Sequence, residues 1–184
     1  MSKIRIKGDT SGHVDLETSA TGSNLSVIGN ALKVDSINEK TTGNGVYIPG
    51  HVVQVQNTGW NTSFNTTSTS FTSTGHAVTI TPKFASSKIY LNLAGGSWYI
   101  EAGTANTTIY RNSTHLGNAT GGLAYKQGNA TARYHPHSMS AYDSPNTTSA
   151  TTYTVYIKSE NGTTTYYSYP TYGIMSLVAM EIAQ

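Results

Sequence analysis

Apolar and polar residues alternate along the second half of the chain with a period of two. The apolar positions recur at Val78/Ile80, at Ile89/Leu91/Leu93 and at Tyr153/Val155/Ile157. Residues two apart lie on the same face of a β-strand, so each group predicts one inward face. Asn161-Gly162 is typical of a hairpin turn, and no helical period interrupts the pattern. We therefore predict an all-β protein in which residues 57–184 form a jelly-roll-like β-sandwich head.

The last apolar segment differs because both of its faces are apolar. Ile174, Val178 and Ile182 fall on one face, whereas Met175, Leu177 and Ala179 fall on the other. A strand that is apolar on both faces lies in the centre of a sheet or against another subunit.

Residues 23–56 carry only short apolar pairs, such as Val46/Ile48 and Val53/Val55, separated by turn signals such as Gly43-Asn44-Gly45. So few apolar residues cannot form an independent core. We predict that three chains wind around one another here as a short β stalk, and a monomeric meander is the alternative. The candidate residues of the trimer interface are Val34, Ile37, Val46, Ile48, Ile174, Val178 and Ile182.

Residues 1–22 open with Ile4 and Ile6 alternating with Lys3, Arg5 and Lys7, before glycines interrupt the pattern. This alternation predicts a short strand or an extended arm. The basic residues are either a solvated strand face or part of an arm that docks the protein onto a larger assembly. Residues 57–75 are rich in Thr, Ser and Asn and read as a linker or an edge segment.

Composition narrows the classes of partner. Charged residues make up 11% of the 184 residues and the formal net charge is +2, which favours neither nucleic acid nor a membrane surface as a partner. The chain has no cysteine, so we expect stability outside a cell to come from oligomerisation. No segment has the pattern of a signal peptide or a membrane span. We therefore expect the protein to be made in a bacterial cytoplasm.

No catalytic motif is recognisable, and we predict a non-enzymatic protein without a cofactor. Glu160 and Glu181 are expected at the surface, which leaves Glu101 and Asp143 as the only conceivable carboxylate pair for glycoside hydrolysis. His135 and His137 are two residues apart and share a strand face, as metal-binding histidines can. Because an isolated pair rarely chelates and Pro136 suits an edge strand, we expect surface histidines and no metal.

Tyrosine is enriched, with 13 residues, and four aromatic residues are candidates for binding a receptor, since aromatic rings bury a large area at low entropic cost. These candidates are Trp98, Tyr166, Tyr169 and Tyr172. The alternative is that these rings fill the core or a subunit interface. The expected ligands of exposed rings are glycans on a host surface.

Four segments, residues 3–12, 34–46, 143–153 and 180–182, resemble parts of tailed-phage fibre and virion structural proteins, especially those of phages that infect cyanobacteria. The resemblance implies a trimeric component of a virion that is assembled in the bacterial cytoplasm and contacts other virion proteins. Its docking residues would be Lys3, Ile4, Arg5, Ile6 and Lys7. Because the chain is short for a host-recognising fibre, a capsid decoration or head-fibre protein without a receptor role is the alternative.

Overall fold

The computed structural model describes residues 46–100, 103–128 and 133–184, together with Ser36. Residues 46–184 belong to one compact unit, Asn38–Gln184. The arm over residues 1–22 and most of the predicted stalk lie outside the described residues. The same holds for Lys3, Ile4, Arg5, Ile6, Lys7, Val34, Ile37 and Glu101.

The described residues form β-strands, joined by turns and by one short 3-10 segment, η1. The strands are β1 (Val52–Trp60), β2 (Phe64–Thr66), β3 (Thr72–Ile80), β4 (Lys88–Ile100), β5 (Thr104–Arg111), β6 (Thr114–His115), β7 (Ala124–Gln127), β8 (Arg133–Asp143), β9 (Thr151–Ser159), β10 (Thr165–Ser168) and β11 (Met175–Ile182), and η1 is Pro170–Tyr172.

The strands assemble into two antiparallel sheets. In sheet A the order is β1-β11-β4-β10-β2, and β8 pairs with the opposite edge of β4. In sheet B the order is β3-β9-β5-β6, and β7 pairs beside β6 along β5. The prediction of an all-β protein with a two-sheet sandwich is confirmed.

The core lies between the two sheets and follows from the period-two alternation. Sheet A contributes the inward faces of β4 and β11, and sheet B contributes those of β3 and β9. The alternating pattern of β9 is regular, with every second residue from Thr151 to Ser159 buried. The buried apolar residues of this cluster include Val78, Ile80, Ile89, Leu91, Leu93, Ile109, Tyr153, Val155, Ile157, Met175, Leu177 and Ala179.

The N-terminal boundary of the folded unit differs from the prediction. β1 pairs with β11 from Val52 to Trp60, so the predicted boundary between residues 56 and 57 falls inside a strand of sheet A. The sequence predicts a linker or an edge segment over residues 57–75, and the structure supports the edge segment, because the end of β1, β2 and the start of β3 all belong to strands at sheet edges. Pairing with β11, β10 and β9 outweighs the polar composition of this segment.

The pair Val46/Ile48 does not form a strand. Both side chains are half-buried in an irregular segment, and the carbonyl of Ile48 accepts a hydrogen bond from the backbone N–H of His51 at 3.0 Å. Pro49 and Gly50 form the turn between Ile48 and His51. Gly50 has φ +83°, a backbone angle that this position of a turn requires and that glycine adopts readily.

Glu181 is buried, contrary to the expectation of a surface residue near the chain end. It faces inward from β11 and has no exposed surface. Its carboxylate accepts hydrogen bonds from the backbone N–H groups of Lys83 and Phe84 (2.8 and 3.0 Å), from the Ser87 hydroxyl (2.8 Å) and from the Gln54 amide (2.6 Å). The carboxylate thereby ties the loop between β3 and β4 to β1 and β11.

These hydrogen bonds also set the ionisation of Glu181. Burial raises the pKa of its carboxyl, but the hydrogen bonds from Gln54, Lys83, Ser87 and Phe84 outweigh burial and lower the pKa. A carboxylate whose pKa is lower in the folded than in the unfolded state stabilises the fold. This contribution is fully present at pH values above the unfolded pKa, about 4.3, and it is lost as the pH falls through the folded pKa.

We predict that Glu181→Gln lowers the free energy of unfolding by about 3 kcal/mol at pH 7, because an amide cannot accept from all of these donors and presents its own N–H to some of them. Urea denaturation at pH 7 measures the loss. At acid pH, where the wild-type carboxylate becomes protonated, the difference between the two proteins should shrink.

Glu160→Gln is the matched control. Its side chain is partly exposed, pairs with Lys158 at 3.7 Å and accepts a hydrogen bond from the Asn106 amide at 2.9 Å. The oxygen of a glutamine can still accept that bond, so the substitution should change the free energy of unfolding by less than about 1 kcal/mol. Equal destabilisation by the two substitutions would contradict a special role for Glu181.

Candidate functional site

The outer face of sheet A is the candidate functional surface. In β11, Ser176, Val178, Met180 and Ile182 point outward, while Met175, Leu177, Ala179 and Glu181 are buried. The predicted division of this strand into two faces is confirmed. Because the strand register fixes which outward residues lie side by side, the surface can be followed row by row across the sheet.

One end of this face carries a group of side chains that we name the aliphatic zone: Val52, Val55, Val178, Met180 and Ile182, bordered by Tyr90 and Tyr142. Val52 lies opposite Ile182, and Val55 lies opposite Met180. In the same row Met180 lies opposite Tyr90, which pairs with Tyr142 at a ring distance of 4.9 Å. The zone therefore crosses the sheet from β1 to β8.

An open depression of about 380 Å³ lies at the edge of the aliphatic zone. It is lined by Lys88, Tyr142, Ile182 and Gln184. Tyr142 is 67% exposed, so most of its ring is available to a partner. The depression thus belongs to the same surface as the aliphatic zone.

The other end of the face carries five tyrosines that we name the tyrosine cluster: Tyr99, Tyr134, Tyr166, Tyr169 and Tyr172. The register places Tyr134, Tyr99 and Tyr166 at the same level in the neighbouring strands β8, β4 and β10. Their rings contact one another, with centroids 4.8 Å apart for Tyr99–Tyr134 and 5.3 Å for Tyr99–Tyr166.

Tyr169 and Tyr172 complete the cluster from the segment around η1. The Tyr169 ring lies 5.4 Å from Tyr134 and 5.7 Å from Tyr166, and the Tyr172 ring lies 4.5 Å from Tyr134. Tyr134 and Tyr172 are exposed, and the other three are half-buried. The cluster is therefore a continuous surface of rings.

Glycines hold the η1 segment against the sheet. Gly95 and Gly96 have positive φ angles at an irregularity in the pairing of β4 with β8, and a Cβ on Gly95 would lie 2.6 Å from the carbonyl oxygen of Ile174. A Cβ on Gly173 would lie 3.3 Å from the Cα of Gly96. This close backbone approach brings Tyr169 and Tyr172 onto the rings of Tyr99 and Tyr134.

A row of small residues separates the two ends of the face. Ser138, Ala94, Ser176 and Gly59 lie side by side across β8, β4, β11 and β1. Ile174, which is 63% exposed, stands beside this row and packs near Gly59. The aliphatic zone and the tyrosine cluster are therefore distinct surfaces.

The outer face of sheet B has a different character. Thr79 and Thr152 share a hydrogen bond between their hydroxyls at 2.8 Å. Tyr110, which stacks on Tyr156, is contacted by His115 from the following hairpin, so its ring is only half-exposed. The outward Asn106 and Thr108 of β5 are buried, so part of this face is covered by the chain itself.

Trp98 is not part of the candidate surface. It is 2% exposed, its indole N–H donates to the Thr165 hydroxyl at 3.1 Å, and it packs with Ile100 and Ala105. The prediction that Trp98 binds a receptor is therefore wrong. The spacing Trp98-x-Ile100 indicates this inward position in the sequence, because two apolar residues in alternation mark the inward face of a strand and place Tyr99 on the outward face.

Sequence reasoning found Tyr166, Tyr169 and Tyr172 but missed Tyr99 and Tyr134. Tyr134 could not be assigned from the sequence, because only the pairing of β8 with β4 brings it beside Tyr99. In the aliphatic zone the sequence identified Val178 and Ile182 but not Val52, Val55 or Met180.

The histidine pair does not lie at the surface as expected. His137 is buried, its Nε2 lies 3.1 Å from the Thr107 hydroxyl, and its ring packs edge-on against Trp98. His135 is half-buried on the same strand face. Pro136 does lie in an edge strand of the described sheet, since β4 is the one strand of that sheet with which β8 pairs. In the described ranges, no group of three or more His, Cys, Asp or Glu residues could hold a metal ion.

Asp143 is engaged in a structural contact. Its carboxylate accepts hydrogen bonds from the Arg111 guanidinium at 2.9 and 3.0 Å and from the Tyr153 hydroxyl at 2.8 Å. Burial and this hydrogen bond raise the pKa of Tyr153 well above its usual value. The contact joins β8 of sheet A to β5 and β9 of sheet B.

No helix in the described part of the chain is long and apolar enough to cross a membrane.

His137 makes the fold sensitive to acid. Burial lowers its pKa to about 4, whereas the unfolded side chain titrates near 6.5. Between these values the unfolded chain binds more protons than the folded protein, so the free energy of unfolding should fall by up to about 1.4 kcal/mol per pH unit as the pH drops from 6.5 to 4.

We predict that His137→Gln makes this pH dependence less steep, because glutamine does not titrate and its amide can still bond to Thr107. Urea denaturation at pH 7 and pH 5 measures the slope. His51→Gln changes an exposed histidine and serves as the control. If the stability of His137→Gln changes between pH 7 and pH 5 as steeply as that of the wild type, His137 is not the source of the pH dependence.

Comparison with models of known protein families finds no match for this chain, and no curated protein matches its sequence.

Proposed function

We propose that this protein is a trimeric, non-enzymatic component of a tailed-phage virion, which docks by its N-terminal arm and presents the β-sandwich as a head toward the host surface. The observation that carries the proposal is the apolar and aromatic outer face of sheet A, which contrasts with the threonine-rich face of sheet B. Such a surface is typical of a protein whose task is to assemble and to bind.

We include a jelly-roll topology in this proposal. The order β1-β11-β4-β8 in sheet A and β3-β9-β5-β7 in sheet B supports it. Along the chain these eight strands alternate between the two sheets, except for the neighbours β5 and β7 in sheet B, and β11 returns beside β1. Two four-stranded sheets connected in this way are typical of jelly rolls, a fold of viral capsid and lectin domains. The remaining strands β2, β6 and β10 are short additions at the sheet ends.

The aliphatic zone supports a trimer. Its central row, Val55, Met180, Tyr90 and Tyr142, is apolar across four strands, and Val52, Ile182 and Val178 extend it on either side. Exposed apolar side chains that are grouped in this way often mark interaction sites on soluble proteins.

The two ends of the zone suit a cyclic arrangement. A three-fold ring needs two different patches on each subunit, one for each neighbour. The zone offers an aliphatic end at Val52 and Val55 on β1 and an aromatic end at Tyr90 and Tyr142 on β4 and β8. Contact between these ends of neighbouring copies would bury both.

We predict that Val55→Lys disrupts the trimer, because Val55 is 48% exposed at the β1 end of the aliphatic zone, where a lysine can be solvated in the monomer but not in an interface. Light scattering combined with size-exclusion chromatography should give three times the 19.6 kDa chain mass for the wild type and the single chain mass for the variant.

Thr154→Lys is the matched control, since Thr154 is an outward, half-buried residue of β9 in sheet B. It should leave the trimer intact. A wild-type protein that is monomeric at micromolar concentration would overturn the trimer.

Deletion of residues 1–12 tests the virion role. We expect the truncated protein to form the same oligomer but to be missing from purified particles when it replaces the full chain, because the arm makes the docking contact. Unchanged incorporation would contradict docking through Lys3, Ile4, Arg5, Ile6 and Lys7.

An adsorption assay with host cells distinguishes a receptor role from the alternative, a capsid decoration or head-fibre protein. Purified protein with a receptor role should bind host cells and block adsorption of the phage. Incorporation into particles without any effect on adsorption would instead identify a capsid decoration or head-fibre protein.

A further inference from the structure

We propose that the tyrosine cluster is a binding site for neutral oligosaccharides. This inference deepens the proposed function, on whose outward-facing head it rests, by naming the ligand class and the residues. It is carried by the composition of the cluster, by the absence of charged side chains among the described residues around it and by its separation from the aliphatic zone.

The cluster combines large ring surfaces with hydroxyl groups. Five tyrosines place their ring centroids between 4.5 and 6.0 Å from their neighbours in the cluster. A sugar has the matching chemistry, with C–H groups that pack on an aromatic ring and hydroxyls that exchange hydrogen bonds with the tyrosine O–H groups. An interface between two copies built only on apolar packing would not need a hydroxyl on every side chain.

The described surroundings of the cluster carry no charged side chain that would select an acidic ligand. Between Glu160 and Glu181 the chain has no charged residue, and this stretch supplies Tyr166, Tyr169 and Tyr172. The outward residues of β8 from Tyr134 to Tyr142 are tyrosine, proline and serine. Since recognition of an acidic sugar calls for a cation, the cluster suits a neutral one.

The cluster is held in place before any ligand binds. Three of its members come from paired strands, and the close approach of Gly173 to Gly96 positions the segment that carries Tyr169 and Tyr172. Rings that are already ordered lose little conformational entropy on binding.

The position of the cluster leaves it free when copies of the chain associate through the aliphatic zone. The row of small residues, Ser138, Ala94, Ser176 and Gly59, lies between the two surfaces. The proposed trimer contact and the proposed sugar site therefore do not compete for the same residues.

The test is binding of the full chain to an array of defined neutral and acidic oligosaccharides, followed by titration calorimetry with the best neutral oligosaccharide. We expect Tyr172→Ala and Tyr134→Ala to weaken binding by about tenfold or more each, because each removes an exposed ring. Tyr134→Phe keeps the ring and should retain more binding than Tyr134→Ala.

Tyr125→Ala is the matched control, because Tyr125 is 58% exposed, as Tyr172 is, but lies on β7 of sheet B. It should bind as the wild type does. Circular dichroism and thermal melting of each variant confirm that loss of binding is not loss of folding.

Several outcomes would overturn the site. These are no binding to any neutral oligosaccharide, equal binding by the wild type and the Tyr172→Ala variant, selective binding of acidic sugars, and a change of oligomeric state in Tyr172→Ala, which would make the cluster a contact between copies.

The mass measured in solution distinguishes a failure of the trimer proposal from a failure of the oligosaccharide site. A trimer that binds no sugar overturns the site alone, and a monomer that binds neutral sugar through the cluster overturns the trimer alone.

Discussion

Burial of the inner faces of sheets A and B against each other is the interaction on which the rest of the structure depends. The alternation in β4, β9 and β11 supplies this core, and the same alternation decides what remains outside. Because successive side chains of a strand point to opposite faces, the inward placement of Leu177 and Ala179 forces Val178 and Met180 outward. The candidate functional surface is thus a direct consequence of how the core is packed.

Sheet A then acquires two different surfaces through a local departure from regular pairing. At Gly95 and Gly96 the register of β4 against β8 shifts, and the segment after η1 approaches the backbone there through Gly173. On one side of this point, β11 pairs with β4 and presents aliphatic side chains. On the other side, β10 pairs with β4 and presents tyrosines. One strand therefore carries parts of both the aliphatic zone and the tyrosine cluster on the same face.

Several buried polar groups connect the two sheets or tie loops to them. Glu181 receives hydrogen bonds from the loop between β3 and β4, and Asp143 links β8 to Arg111 and Tyr153 in sheet B. His76 of β3 lies between the Tyr167 hydroxyl at 2.7 Å and the Thr58 carbonyl at 2.9 Å, and burial lowers its pKa. Such groups stabilise the sandwich only while their partners are present, since an unpaired buried polar group is costly. They explain why a chain with few charged residues nevertheless buries several titratable ones.

The sequence by itself determined the all-β class, the inward faces of β4 and β9, and the division of β11 into two faces with Val178 and Ile182 on the same one, because these follow from a period of two within one strand. It could not determine the burial of Glu181 and His137, since polar side chains are buried only where distant residues supply partners, here Gln54 and Thr107. Nor could it assemble the tyrosine cluster. Tyr99, Tyr134 and Tyr166 come from strands far apart in the sequence, and only the tertiary structure, through the pairing of β8 and β10 with β4, places them side by side.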